Sequence, residues 1–261
     1  MSSLSTAIQQ IKKVRPLIHN ITNLVATEFS ANALLSLGAS PLMAHAPEEL
    51  EEIIQLSNAL VLNIGTIDVR QRESMFMALS LACQKDIPIL LDPVGAGASK
   101  FRTQTALDLL QHAKEKRGRL VLKGNASEIM SLAGHFIQSK GVDSNVGADS
   151  ADYLLDAAKN LITTYNIETV GITGKDDFIV GKNNQHALNS HGHPLMSQIT
   201  ATGCILTAIT AAFCAVDSDL FSATQNAFKC LSLAGEASAE KSQGQGLGSF
   251  KVQLINELSL L

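Results

Sequence analysis

The residues best suited to chemistry lie in short turns between apolar runs. Thr200-Ala-Thr-Gly-Cys204 directly precedes a nearly all-apolar stretch, Ile205 to Ala215. Small residues there let backbone N–H groups converge on one point, and a helix start adds about half a positive charge. Such a turn suits an anion: a phosphate, or charge developing on one. The competing reading is an ordinary Thr-capped buried helix. Asp92-Pro-Val-Gly-Ala-Gly97 sets an acid before a tight turn whose glycines let backbone approach a ligand. Lys123-Gly-Asn-Ala-Ser-Glu128 places a cation, an amide and a carboxylate around a helix start. Asn125 and Glu128 have capping-box spacing, so helix capping and ligand binding are both open there. Thr173-Gly-Lys175 follows a further apolar run.

Other chemistries lack their signatures. Gly171-Ile-Thr-Gly-Lys175 is too short for a P-loop, and Gly244-Gln-Gly246-Leu-Gly248 lies between two helical patterns rather than after a strand. There is no G-x-S-x-G nucleophile elbow. His191-Gly-His193 could touch a metal, but it sits in a polar loop with no third ligand nearby in sequence.

These turns need elements to hold them. Helical periodicity runs over about 25–37, 47–57, 70–86, 103–115, 149–165, 203–215, 224–241 and 250–259. Between these lie short apolar runs at 39–43, 59–64, 88–91, 120–123 and 169–173. Runs without alternation are buried on both faces, and strand–helix repetition gives right-handed crossovers and a mostly parallel sheet. Asp177–Gly181 and Gln185–Asn189 flank Lys182-Asn-Asn184, which predicts an antiparallel hairpin. In such sheets ligands bind beyond the carboxyl ends of the strands, where the four turns fall. The segment Pro16–Asn23 reads as a polar loop ahead of a helix, with Asn20 and Thr22 as candidate caps. With no long linker or repeat, residues 1–261 read as one α/β domain.

Composition narrows the partners. The chain has 261 residues, 46% hydrophobic and 17% charged, enough to bury a core without disulfide or metal staples. Net charge is -4, no basic block appears and Trp is absent, which excludes a dedicated nucleic-acid surface. No apolar stretch is long enough for a transmembrane helix. Residues 1–13 show no secretory leader. Cys83, Cys204, Cys214 and Cys230 form no C-x-x-C pair, and Cys83, Cys214 and Cys230 read as buried thiols in a reducing compartment. These features predict a cytoplasmic protein.

Taken in order, Pro16-Leu-Ile-His-Asn-Ile-Thr-Asn23, Gly38-Ala-Ser-Pro-Leu-Met-Ala44, Asn63-Ile-Gly-Thr66, Asp92-Pro-Val-Gly-Ala-Gly97, Lys123-Gly-Asn-Ala-Ser-Glu128 and Thr200-Ala-Thr-Gly-Cys204 resemble the hydroxyethylthiazole kinases of thiamine salvage. The resemblance spans roughly residues 10–245. It implies a ribokinase-like fold with helices on both faces of the sheet. It implies ATP as co-substrate, Mg²⁺ as cofactor, and a homotrimer with thiazole pockets between subunits. By the same resemblance Met43, Asn20, Thr22 and Ala201 line the substrate pocket. Lys123, Thr173, Asp92 and Gly95 meet ATP, and Glu128 and Asp92 work around the metal, Glu128 through water. Gly203 and Cys204 form an anion hole beside the substrate hydroxyl. Related kinases of the fold have Asp at the Cys204 position, so Cys204 serves either as a thiolate base, helped by the helix start, or as a neutral shape-filling residue.

Two positions depart from the family pattern. Lys123 stands where Arg is usual, keeping the charge and losing the planar fork. Ala201 stands where Gly is usual, which restricts the turn or narrows the pocket. Within the same fold, pyrimidine or pyridoxal kinases and ATP-dependent hydrate dehydratases of nicotinamide nucleotides are the alternatives; both carry Asp at the Cys204 position. A nucleotide-binding regulator without chemistry is the non-enzyme alternative.

Overall fold

The computed structural model describes residues 3–137 and 151–261. Its centre is an eight-stranded sheet in the order β2-β1-β3-β4-β5-β6-β7-β8. The strands are β1 (Leu17–Ile21), β2 (Ser40–Met43), β3 (Ala59–Asn63), β4 (Ile89–Asp92), β5 (Leu120–Asn125), β6 (Thr169–Thr173), β7 (Asp177–Gly181) and β8 (His186–Asn189). Strands β1 to β6 are parallel, and β7 and β8 are added antiparallel. The expected hairpin is therefore present. Asn183 and Asn184 both take positive φ, 57° and 61°, as a tight hairpin turn that follows strand twist requires.

Helices cover both faces. One face packs α1 (Ser3–Val14), α2 (Thr27–Leu37), α8 (Thr202–Cys214), α9 (Leu220–Lys241) and α10 (Leu247–Leu260). The other packs α3 (Leu50–Leu56), α4 (Val69–Lys85), α5 (Lys100–Glu115), α6 (Ala126–Ile137) and α7 (Ala151–Tyr165). The sheet's pleat sorts the core between them: Ala59, Val61, Leu90 and Val121 face the α8 side, whereas Leu60, Leu62, Leu91 and Leu122 face the other. Gly171 faces α9, where a Cβ would come within 2.5 Å of the Phe228 ring. Among the described residues no helix is long and apolar enough to cross a membrane.

Three local readings change. Residues 17–21 form strand β1 rather than a polar loop; His19 and Asn20 are buried within it. No side chain caps α2, so neither Asn20 nor Thr22 takes that role; Ala26 stands at its N-cap, and Ala26 N–H, in the turn ahead of the helix, donates to Asn23 Oδ1 at 2.9 Å. Residues 3–14 form amphipathic α1, with Leu4, Ile8 and Ile11 buried. The first two residues of the helix expected at 149–165 lie outside the described residues.

Candidate functional site

Parity and register bring the polar residues together. Asn63 ends β3 and pairs with Asp92 at the end of β4. Lys123 lies on β5 one step beyond the Leu91–Leu122 pair. Each shares the strand parity of residues facing α8, so all three point toward that helix at the carboxyl ends of adjacent strands. The first turn of α8 completes the enclosure.

Asp92 is fully buried. Its Oδ2 accepts from Thr207 Oγ1 at 2.6 Å, Asn63 Nδ2 at 3.1 Å and Lys123 Nζ at 3.4 Å. Its Oδ1 is buried with no partner. Burial pushes the carboxyl above its ordinary pKa, while the Lys123 ammonium and Thr207 hydroxyl pull it down. The Lys123 ammonium also donates to the Gly203 carbonyl at 3.0 Å, which ties β5 to the start of α8. A Cβ on Gly203 would sit 3.0 Å from that ammonium, so a glycine suits this approach.

Helix α8 begins at Thr202, and its first i to i−4 bond runs from Ile205 N–H to the Ala201 carbonyl at 2.9 Å. The amides of Gly203 and Cys204 lie ahead of that bond, in the free first turn. Ala201 adopts φ 70° and ψ 5°, the left-handed region where a methyl group is strained. The departure from Gly at this position thus falls where glycine would cost the backbone least. Cys204 Sγ accepts from Asn23 Nδ2 at 3.3 Å. Burial, and next the Asp92 charge, raise the thiol's pKa, against smaller downward pulls from Lys123, Asn23 and Asn63. The expected lowering by the helix start is therefore not the net direction.

Glu128 makes the full capping box: Asn125 N–H donates to its Oε2 at 2.8 Å, and Glu128 N–H donates to Asn125 Oδ1 at 2.9 Å. Its other oxygen, Oε1, accepts from Gly95 N–H at 2.9 Å. One carboxylate thus fixes both the start of α6 and the turn after Asp92. Gly95 has φ 77°, and a Cβ there would meet the Arg102 guanidinium at 2.5 Å. Thr173 ends β6 beside Asn125, and its hydroxyl donates to the Gly124 carbonyl at 3.4 Å.

Met43 and Asn20 are register partners across β2 and β1. Asn20 Nδ2 donates to the Ile18 carbonyl at 2.8 Å, and its Oδ1 is buried without a partner. Thr22 follows, its carbonyl accepting from Gln71 Nε2 at 2.9 Å. On the opposite face of β1, fully buried His19 meets the Ala44 carbonyl through Nε2 at 2.8 Å. A carbonyl only accepts, so the proton is on Nε2. Burial lowers the pKa of His19, opposed by the Ala44 contact and Glu49.

Asp92, Lys123, Gly203 and Thr207 thus form one contacting group, with Cys204 joined through Asn23 and Asn63. Glu128 and Gly95 form a second group, and Met43, Asn20 and Thr22 line the carboxyl ends of β1 and β2. The arrangement can hold an anion between a buried cation and free helix amides, beside a carboxylate with one unpartnered oxygen. That oxygen suits a hard divalent cation shared with phosphates, since Mg²⁺ needs only one or two carboxylates. Asn23 and Asn63 end or open segments of the resemblance without a role assigned to them there, and Thr207 lies outside those segments. Their partners lie 40, 29 and 115 residues away, beyond any spacing signal.

The remaining candidates separate from this cluster. His191 meets Glu236 at 3.2 Å, and His193 caps the short 194–198 segment by accepting from Leu195 N–H. Among the described residues no three His, Cys, Asp or Glu side chains converge as a metal site. Gly244 and Gly246 connect α9 to α10, as expected, on the rim of a cleft of about 610 Å³. Burial pushes the Cys214 and Cys230 thiols up to about 12, as fits inert core residues. Cys83 departs from the expectation: it is only half-buried, packed against the edge of the core, with its thiol pushed up to about 11.

Comparison with known proteins gives the family and the fold. A model of the Hydroxyethylthiazole kinase family matches residues 8–261. The chain is 44% identical over 249 residues to a hydroxyethylthiazole kinase of Thermoanaerobacter pseudethanolicus, covering 95% of this chain and 90% of that one. It is 45% identical over 260 residues to one of Pyrococcus abyssi, covering 99% and 93%. The solved hydroxyethylthiazole kinase of Pyrococcus horikoshii superposes with TM-score 0.87 at 39% identity, covering 100% of this chain and 94% of that chain. A ribokinase-like superfamily protein of Enterococcus faecalis superposes with TM-score 0.66 at 14% identity, a likeness of fold alone.

Proposed function

The chain belongs to the hydroxyethylthiazole kinase family, and from that premise we propose how its strand-end cluster carries the reaction. The enzyme is a kinase that moves the γ-phosphoryl group of ATP onto the hydroxyl of 4-methyl-5-(2-hydroxyethyl)thiazole, in thiamine salvage. ATP and the thiazole alcohol are its small-molecule substrates.

Phosphoryl transfer requires positioning and charge neutralisation more than covalent chemistry. Lys123, buried between Asp92 and the Gly203 carbonyl, holds the nucleotide phosphates. Gly95 and Thr173 flank them on the turns after β4 and β6. The N–H groups of Gly203 and Cys204 receive charge on the transferring group; losing one such donor costs about 10²–10³ in rate. Cys204 stands beside the acceptor hydroxyl as a neutral thiol. Met43, Asn20, Thr22 and Ala201 line the thiazole pocket, where the unpartnered Asn20 Oδ1 offers an acceptor to a substrate hydroxyl.

The single observation that carries this reading is the Lys123 ammonium lying against both Asp92 and the first turn of α8. Mg²⁺ fits the same cluster: Asp92 Oδ1 would hold it directly, and Glu128, whose oxygens already receive amides, would reach it through water. Bound there, Mg²⁺ supplies neutralisation of phosphate charge.

The homotrimer belongs to the same proposal. Leu24 and Val25, next to Asn23, are 80% and 61% exposed, and a neighbouring copy would cover them. Every strand among the described residues joins one sheet, which supports a single kinase domain over 1–261. Four free thiols support a cytoplasmic setting.

The test is ADP release with Mg²⁺, offered thiazole, pyrimidine and pyridoxal alcohols and hydrated nicotinamide nucleotide. Release only with the thiazole alcohol is expected; release only with another compound overturns the substrate assignment. Light scattering of the purified protein reads the trimer.

A further inference from the structure

Two buried carboxamides join the thiol to the acid. Asn23 follows β1 and Asn63 ends β3, at the point where strand order reverses. Backbone groups fix how both amides face. Ala26 N–H donates to Asn23 Oδ1 at 2.9 Å, so Asn23 Nδ2 turns the other way. It donates to Asn63 Oδ1 at 2.8 Å and to Cys204 Sγ at 3.3 Å. Gly65 N–H donates to Asn63 Oδ1 at 3.0 Å, so Asn63 Nδ2 faces Asp92 Oδ2 at 3.1 Å. Reversing either amide would set its NH₂ against a backbone N–H. Gly65 makes room for this: a Cβ there would come within 2.8 Å of the Asn23 side chain.

Donation therefore runs outward from Asn23, to the thiol on one side and through Asn63 to the acid on the other. Cys204 and Asp92 are both at receiving ends. The sulfur accepts from Asn23, so its own hydrogen must leave along another line. Asp92 Oδ2 accepts three donors, and Oδ1 is left without one.

We propose that Asn23 and Asn63 are positioning residues for phosphoryl transfer, turning the Cys204 S–H and the free Asp92 oxygen toward the reacting groups. The proposal rests on the kinase reading above. It makes Cys204 a hydrogen-bond donor toward the acceptor hydroxyl, not a receiver of its proton; that proton passes to an oxygen of the transferred phosphoryl group as the new O–P bond forms and the bond to ADP breaks. A purely structural role, tying the segment after β1 to β3, would affect stability but not act through Cys204.

A double-mutant cycle separates the two. Asn23→Ala lowers kcat about tenfold, the low end for a partner that orients an active group, with KM for ATP unchanged. In a Cys204→Ala background the same change alters kcat by no more than about twofold, the scatter of uncoupled sites. Equal losses in both backgrounds overturn the proposal. Asn23→Ser is the second variant should Ala fail to fold. Asn63→Asp keeps the acceptor for Gly65 and removes the donor to Asp92; it lowers kcat at least as far, and unchanged kcat also overturns the proposal. A readout independent of turnover is the S–H stretching band of the wild type, isolated by subtracting Cys204→Ala. It shifts when the thiazole alcohol is added, and a band that stays put overturns the donor role. Failure of the kinase reading would appear separately, as no ADP release by the wild type.

Discussion

Thr207 donates its hydroxyl to Asp92 Oδ2 over 2.6 Å, binding the second turn of α8 to the end of β4 across 115 residues of sequence. Both groups are fully buried, so neither can turn to water instead. Thr207→Val keeps the shape and removes the donor. Hydrogen bonds to charged groups contribute about 1.5–3 kcal/mol, so urea unfolding should show a loss of that size. Thr207→Ser should recover most of it. Equal stability of the Val and wild-type proteins would mean that Asp92 does not depend on this donor.

Ala201 bears left-handed strain of about 1–2 kcal/mol. Ala201→Gly relieves it, offset partly by the greater freedom of glycine in the unfolded chain. A net gain of about 0.5–1 kcal/mol is expected in chemical denaturation. A loss would show that the methyl group packs favourably enough to outweigh the backbone.

Lys123 and Asp92 are a buried pair with side chains only 5% and 1% exposed. Lys123→Met leaves the carboxylate buried without its cation and should cost about 3–5 kcal/mol. Adding Asp92→Asn to that variant should restore much of the stability, though not the activity. Lys123→Arg keeps the charge and adds a fork matched to phosphate. It should fold normally and lower KM for ATP, as isothermal titration with nucleotide would also reveal.

Cys204→Ala tests the neutral thiol. A side chain that only directs a hydrogen bond should cost less than about 10²-fold in kcat, the bottom of the range for a lost general acid or base. Cys204→Asp replaces the donor by a carboxylate that can itself take the hydroxyl's proton, the residue that related kinases of the fold carry there, and by that different route should keep activity or raise it. A loss beyond about 10⁴-fold in the Ala variant would restore the base role.

His19 predicts an acid limb in the stability profile. Its folded pKa is depressed by burial, so the folded state keeps it neutral while the unfolded chain takes up a proton. Its contribution is present above the unfolded value near 6.5 and is lost as pH falls toward the folded value. His19→Gln retains a donor for the Ala44 carbonyl and removes the titration. Thermal unfolding from pH 7.5 down to 5 should therefore fall less steeply in the variant, by about the range over which histidine titrates. Parallel curves would exclude His19 as a source of the slope.

Much of this architecture is written in local pattern. Strands β3 to β5 open on unbroken apolar runs, β6 carries Val170 and Ile172 around Gly171, and the Asn183–Asn184 turn announces its hairpin. Strand β1 is harder to read because His19 and Asn20 interrupt its apolar character, yet both are buried through contacts with Ala44 and Ile18 carbonyls. Helix α1 was recoverable from Leu4, Ile8 and Ile11, which share one helical face. Lys123, Asp92 and Cys204 stand at strand and helix ends where sequence reasoning looks first. Asn23, Asn63 and Thr207 are common residue types whose significance depends on register between distant strands. For Glu128 the local signal was correct but incomplete: the capping box is visible in sequence, the bond to Gly95 is not.

The pleat that aims Asn63, Asp92 and Lys123 at α8 also limits how this chain can change length. One residue inserted within β4 ahead of Asp92 would rotate the carboxylate into the packing between α4 and α5, and β3 or β5 would behave alike. Two residues would restore the direction but carry the group past its neighbours. Viable insertions and deletions should therefore gather in the turns at the opposite rim of the sheet, such as those around Asp86 and Arg117. A library of length variants screened for growth on the thiazole alcohol would trace that boundary residue by residue.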